Sequence, residues 1–167
     1  MTTAAVEVVI GVIPSAKTNT GMFSSTAYTL VVTNYRLLFA KMTNDLVKEN
    51  TAQVRAEAKA QGAGFFGQWG AQLKAAFAFA QRYLAMHPEA ILAETPGNGF
   101  VAPAQVRQIK VERKWRSAGS DDDSSQPYLR ITIETTAGKT TYDTDGETPG
   151  VNDAKLLLSR TFGASVR

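Results

Sequence analysis

Five cationic side chains fall within ten residues and form the densest group that could bind a ligand. They are Arg107, Lys110, Arg113, Lys114 and Arg116, with Glu112 and Trp115 between them. Alternate residues of a strand share a face, so Lys110, Lys114 and Arg116 are expected on one side. Cations beside an aromatic ring are typical of sites for phosphate groups. We predict an anion site at Arg107, Lys110, Lys114 and Arg116, with a merely solvated strand face as the alternative.

An aromatic helix face is the second candidate surface. At about 100° per residue, a helix over residues 65–86 gathers its large apolar side chains within one arc. These are Phe66, Trp69, Leu73, Phe77 and Leu84. Three interpretations stay open: packing on the protein's own sheet or first helix, insertion among lipid headgroups, and contact with a partner protein or a second copy of the chain. The last two make these five residues membrane or partner contacts.

The glycines at 62, 64 and 67 satisfy the pattern G-x-G-x-x-G, which in dinucleotide sites follows a strand. Here residues 54–61 favour a helix, so we interpret the glycines as a hinge between two helices. Neither the carboxylates of residues 121–123 nor those of residues 143–147 have the spacing of a calcium loop. We therefore expect no cofactor and no metal.

Composition excludes several classes of site. The chain has 167 residues, no cysteine and one histidine, which rules out disulfides, thiolate zinc sites, cysteine nucleophiles and paired-imidazole metal sites. That histidine, His87, is interpreted as an exposed residue at a helix end, so no catalytic triad is supported and we expect no enzyme. The net charge of +3 permits an anionic partner without requiring one.

The N-terminal residues bear on location. Glu7 precedes any cation, and the first cation is Lys17, so the positive region of a secretory signal is missing. Charged residues interrupt every apolar stretch before it reaches the ~20 residues of a membrane span. We expect a cytoplasmic protein, either free or held peripherally at a membrane.

Apolar alternation in the first and last thirds predicts antiparallel strands. A strand over residues 6–13 is expected to end at Pro14, followed by a long connection over residues 15–25 and a hairpin over residues 28–41 that turns at Asn34. Further strands are expected around residues 109–116, 128–135 and 139–143. Arg113 falls on the apolar side of its strand, which indicates either a bulge or a paired guanidinium.

Helices are predicted for the middle and the end of the chain. Residues 45–61 and 65–86 have helix-forming composition, and Pro88 returns the chain to a loop. The last helix is expected over residues 151–162, with Asn152 as N-cap and Gly163 as its end. The two strand-rich parts should close around one core in which Leu30, Phe39, Ile131 and Leu157 meet.

Residues 28–39, YTLVVTNYRLLF, carry a family resemblance. They resemble the strand–turn–strand of GRAM and bacterial pleckstrin-homology-like domains, in which an apolar strand, Thr-Asn, a variable residue and Arg-Leu-x-Phe recur. Residues 99–109, GFVAPAQVRQI, are similar to a later strand of those domains. The resemblance covers about residues 6–42 and 99–162. It implies an α+β fold: an antiparallel barrel or sandwich of about seven strands with a C-terminal capping helix.

The resemblance also bears on domains and function. We expect a single domain over residues 1–167, with a two-helix insertion at about residues 45–92 that departs from the family pattern. The family's members are mostly binding modules for membranes or proteins, which implies a non-catalytic binding or adaptor module, with peripheral binding to anionic lipid as its membrane version. A protein–protein or homo-oligomerisation module that uses the aromatic face of helix 65–86 is the alternative, and no nucleic acid partner is expected.

Overall fold

The part of the chain that the structure describes contains seven antiparallel strands and a C-terminal helix, so its fold is α+β. The computed structural model describes residues 5–49, 52, 78–117 and 125–167. The strands are β1 (Val9–Asn19), β2 (Ser25–Thr33), β3 (Leu37–Lys41), β4 (Gly99–Val101), β5 (Val106–Ser117), β6 (Ser125–Thr135) and β7 (Gly138–Asp143). The helices with complete bounds are α1 (Pro88–Glu94) and α2 (Val151–Phe162), and residues 44–49 and 78–81 are also helical.

Strand β1 joins the two halves of the sheet, which are β2–β4 on one side and β5–β7 on the other. The spatial order is β4-β3-β2-β1-β7-β6-β5. Strand β1 pairs with β2 along its whole length and with β7 at its end, where Lys17 lies opposite Asp143. The hairpins β2–β3, β5–β6 and β6–β7 connect neighbours in sequence. The prediction of about seven antiparallel strands is confirmed.

The prediction that Pro14 ends the first strand is wrong. Strand β1 continues to Asn19, and the pairing with β2 shifts register between Ile13 and Ala16. Ser15 has a φ of 55°, the left-handed region, which marks the bulge. A proline at a bulge costs no ladder hydrogen bond, so the strand bends there and goes on. The expected connection over residues 15–25 is therefore mostly strand.

The main core lies between the inner faces of the sheet halves and α2. Leu30, Ile131 and Leu158 are buried in it, and Phe39 and Leu157 pack against it. The predicted meeting of the two halves around one core is confirmed. A Cβ on Gly11 would lie 2.5 Å from Leu157 Cδ1, so this glycine allows α2 to approach β1 closely.

The caps of the helices differ in part from the predictions. Helix α2 has the predicted bounds and ends at Gly163, but its N-cap is Gly150 and not Asn152. Helix α1 lies where a loop is expected after Pro88. His87 is its N-cap, with Nδ1 accepting a hydrogen bond from the Glu89 N–H at 3.3 Å. Pro88 occupies the first turn of α1, where its missing N–H costs nothing.

A second core covers the outer face of β1, β2 and β3. It contains Val12, Val31, Leu38 and Ala40 from these strands, and Phe79, Ala80, Tyr83 and Ile91 from the segment between β3 and β4. Strand β2 is consequently buried on both faces, which explains its continuous apolar run over residues 30–32. Tyr83 donates a hydrogen bond to Glu94 at 2.9 Å, and Arg82 pairs with the same carboxylate.

The turn between β2 and β3 holds the N-terminal segment in place. Arg36 forms a bidentate pair with Glu7, both distances 2.9 Å, and a further pair with Glu89 of α1. Thr33 Oγ1 donates to Glu7 at 2.7 Å and accepts from the Arg36 N–H at 2.9 Å. Asn34 bonds the backbone of Val8 at 2.8 Å. The Thr-Asn-x-Arg residues thus connect three separate segments.

We predict that Leu158→Ala destabilises the protein while Leu156→Ala does not. Leu158 is fully buried in the main core, and Leu156 of the same helix is 61% exposed. Removing the buried side chain should lower the free energy of unfolding by about 2–5 kcal/mol. The exposed change should stay within about 0.5 kcal/mol. Urea denaturation of both variants measures this, and equal losses would contradict the orientation of α2.

We predict that the Glu7–Arg36 pair makes stability depend on acid pH. Burial alone would raise the pKa of Glu7, but hydrogen bonds from Arg36 and Thr33 outweigh it and hold the pKa below its ordinary value of 4.5. The unfolded chain therefore takes up its proton first, and the free energy of unfolding falls as pH drops below about 4.5 and through the folded pKa.

Glu7→Gln tests this pH dependence. The substitution should lower the free energy of unfolding by about 1–3 kcal/mol at neutral pH, because it leaves Arg36 incompletely paired. The difference from the unmodified protein should shrink in acid, and urea denaturation at pH values above and below 4.5 measures it. Glu134→Gln on the outer face of β6 is the control. A difference that stays constant with pH would refute the linkage.

Candidate functional site

The outer polar face is the sheet surface of β5, β6, β7 and the end of β1 that points away from the main core. Along β6, Leu129, Ile131 and Ile133 are buried, so Arg130 and Thr132 point to the opposite side. The register aligns these outward residues across strands in rows. One row places Glu112 opposite Arg130, Arg130 opposite Asp143, and Asp143 opposite Lys17.

Three of the four predicted anion-site residues lie on the outer polar face. Lys110 and Lys114 flank Glu112, with Nζ–Oε1 distances of 3.0 and 3.5 Å. The hydrogen bond from Lys110 lowers the pKa of Glu112. Arg116 lies over the ring of Tyr128, 4.6 Å from its centroid. The two lysines therefore share one carboxylate, which Arg116 does not contact among the described residues.

Arg107 and Arg113 stand apart from this group. Arg107 is exposed at the register shift between Val106 and Gln108, where the alternation of β5 is interrupted. The pairing is regular at Arg113, which instead binds Glu147 with an Nε–Oε1 distance of 2.7 Å. Of the two explanations for Arg113, the paired guanidinium is confirmed. The bulge lies at Arg107, at the other end of the strand.

An ion pair lies at the centre of the outer polar face. Arg130 binds Asp143 through two hydrogen bonds of 2.8 and 2.9 Å, and these bonds raise the pKa of Arg130. Lys17 on β1 binds Asp145 at 2.6 Å. Bidentate arginine–carboxylate pairs have fixed geometry, so the face presents its cations at defined positions.

A polar cleft follows the seam between β1 and β7. These strands pair at one residue pair and then part, which leaves a cavity of about 500 Å³. Its lining combines cations, hydroxyls and an amide with a single carboxylate: Lys17, Thr18, Asn19, Arg130, Lys139, Thr140, Thr141 and Asp143. Such a donor-rich lining can bind phosphate or carboxylate oxygens.

The tip of the β1–β2 hairpin exposes two large apolar side chains beside this cleft. Met22 is 90% and Phe23 97% exposed. The Thr20 N–H donates to the Ser24 carbonyl at 3.0 Å, so the turn is held by its own hydrogen bonds. Sequence reasoning missed this tip because residues 15–25 were expected to be a polar connection. The sequence feature that could have indicated the tip is the apolar pair Met22 and Phe23 within a run of Thr, Gly and Ser.

The described part of the chain contains little of the predicted aromatic helix face. Phe66, Trp69, Leu73 and Phe77 lie outside the described residues, as do the glycines at 62, 64 and 67 and the carboxylates of residues 121–123. Leu84 is 44% exposed in a 3-10 turn, whereas the neighbouring Phe79, Ala80 and Tyr83 pack into the second core. The role of the aromatic face as a membrane or partner contact stays a prediction.

The described residues offer neither a metal site nor a membrane-spanning helix. Their His, Asp and Glu side chains form no group of three or more that could hold a metal ion. Within the same residues, no helix combines the length and apolar character needed to cross a membrane.

Comparisons with known proteins leave the family open. No protein-family model matches this chain, and no curated protein matches it. A comparison of structures finds the C-terminal domain of an unknown protein from Leishmania infantum, with a TM-score of 0.43 and 9% sequence identity. The match covers 93% of this chain and 84% of that one.

Proposed function

We propose that this chain is a pleckstrin-homology-like, non-catalytic module that binds anionic membranes peripherally. The observation that carries the proposal is the apolar hairpin tip beside a cation-bearing cleft: Met22 and Phe23 project only a few residues after Lys17 and Asn19, which line the cleft. The strand order, with its C-terminal helix packed on the main core, agrees with a pleckstrin-homology-like fold. A cytoplasmic location belongs to the same proposal.

The tip and the face would make complementary contributions to membrane binding. Burying a methionine or phenylalanine side chain among acyl chains gains up to about 1.5–3 kcal/mol each. Each Lys or Arg near an anionic surface adds about 1 kcal/mol. Because the turn at residues 20–24 is already hydrogen-bonded, little conformational entropy is lost when the tip inserts. Lys17, Lys139 and Arg130 line the cleft and would supply the cations that meet lipid headgroups.

Among the described residues, the main core is packed with side chains, which favours the outer surface as the place where a ligand would bind. Side chains of both sheet halves and α2 fill the space between them, including the stacked rings of Phe39 and Tyr142 at a centroid distance of 5.5 Å. The first half of the sheet is covered on its outer face by the second core. A ligand can therefore reach the polar cleft and the hairpin tip without disturbing either core.

We predict that the double variant Met22→Ser and Phe23→Ser weakens binding to vesicles containing phosphatidylserine by about tenfold or more, because the tip loses its insertion energy. Co-sedimentation at low salt measures the bound fraction. Leu156→Ser on α2 is the control, since it removes an exposed apolar side chain from another surface. Unchanged binding by the tip variant would refute the proposal, as would failure of the unmodified chain to sediment with the vesicles.

We predict opposite effects from charge changes around Glu112. Lys110→Glu should weaken vesicle binding by about fivefold or more, because Lys110 lies opposite Thr132, which in turn lies opposite Thr141 in the lining of the cleft. Glu112→Gln should strengthen binding, since it frees two lysines from their shared carboxylate. Arg160→Glu on α2 makes the same charge change as Lys110→Glu and should have little effect. Equal losses for both would show dependence on net charge alone.

A further inference from the structure

The outer edge of β5 is only partly paired by the described residues. Strand β5 is the last in the spatial order, so one of its edges faces away from the sheet. The C-terminal residues cover the first part of that edge: Val166 forms a parallel bridge with Ile109. The Arg167 N–H donates to the Ile109 carbonyl at 2.8 Å, and the Val111 N–H donates to the Arg167 carbonyl at 2.9 Å. This edge therefore already accepts an extended segment of chain.

The rest of the edge repeats the same backbone geometry. The register with β6 is unbroken from Gln108 to Ser117. The N–H and C=O of a strand residue point to the same side, and they alternate between sides along the strand. Since Ile109 and Val111 bond outward, the N–H and C=O of Arg113 and Trp115 also point outward. Within the described ranges, no backbone group pairs with them.

The side chains beside this open edge are aromatic on one face of β5 and cationic on the other. Trp115 lies on the same face of β5 as Ile109 and Val111, which are buried in the main core. It is beyond the core, however, and is 61% exposed. Lys114 and Arg116 lie on the outer polar face. Arg116 has Tyr128 beneath it and no carboxylate partner among the residues described. A strand added here would place alternate side chains next to Trp115 and next to these two cations.

Charge decides which extended segment fits. The outward face of β5 carries three cations, Lys110, Lys114 and Arg116, and one carboxylate, Glu112. A second copy paired through the same edge would double this excess of positive charge, and like charges across strands are destabilising. Carboxylates in the same positions would be favourable. We propose that the β5 edge from Val111 to Trp115 accepts an extended acidic peptide as an added strand, with carboxylates beside Lys114 and Arg116 and an apolar side chain against Trp115. This adds a protein partner to the proposed membrane function and does not depend on it.

A backbone-specific experiment tests the proposal. The probe is a short blocked peptide that alternates glutamate with valine, titrated into the isotopically labelled full chain while amide hydrogen exchange is followed by NMR. At saturation, exchange at Arg113 and Trp115 should slow by about tenfold or more, because their N–H groups gain acceptors. The amides of Glu112 and Lys114 already face β6 and should not change.

Matched peptides and variants separate backbone pairing from charge attraction. N-methylation of the peptide amides that face β5 should weaken binding by about tenfold, and replacing glutamate by lysine should abolish it. Lys114→Glu with Arg116→Glu should also weaken binding by about tenfold or more. The control is Lys155→Glu with Arg160→Glu on α2, an equal charge change that should leave binding unchanged.

Four outcomes would overturn the proposal. The first is binding without slower exchange at Arg113 and Trp115, and the second is equal affinity for the N-methylated peptide. The third is protection of these amides that rises with protein concentration alone, which would identify a second copy as the occupant. The fourth is protection by anionic vesicles together with no peptide binding, which would assign this edge to the membrane.

Discussion

The bend in β1 is the constraint on which the rest of the structure depends. One strand pairs with β2 along its length and reaches β7 at Lys17, so it belongs to both halves of the sheet. The bulge between Ile13 and Ala16 lets the strand turn without ending. Both of these residues are buried in the main core, whereas Lys17 is already on the outer polar face. The closure of the core and the cleft beside β7 thus have a common cause.

The pattern of apolar residues decides which sheet surfaces are covered by the two cores. Strand β2 has an unbroken apolar run and is covered on both faces, one by the main core and the other by the second core. Strand β6 alternates strictly, with Leu129, Ile131 and Ile133 inside and Arg130 outside. The same sheet therefore has one half enclosed on both faces and one half whose outer face none of the described elements covers.

Local features and the shared core of the two sheet halves were predicted from sequence, whereas features that depend on a particular distant partner were not. The bounds of α2 follow from its apolar spacing and Gly163, and the outward alternation of Lys110 and Lys114 follows from strand geometry. The prediction that Pro14 ends β1 is wrong because a bulge accommodates the proline. That bulge exists only through pairing with β2, which the local sequence does not show. Glu147, the partner of Arg113, lies 34 residues away, so no local pattern connects them. Met22 and Phe23 were visible but lay within an expected polar connection.

The internal pairing of its cations determines what kind of anion the outer polar face can hold. Lys110 and Lys114 share Glu112, and Arg130 is held by Asp143, so a single anion must compete with a carboxylate that is already in contact. Charges about 4 Å apart in water attract by only about 1 kcal/mol, and the exchange gains little. A surface that offers many anionic groups at once adds these small gains together. It also screens the face from water, which strengthens each contact. A membrane or an extended acidic segment meets this condition better than an isolated phosphate ion does.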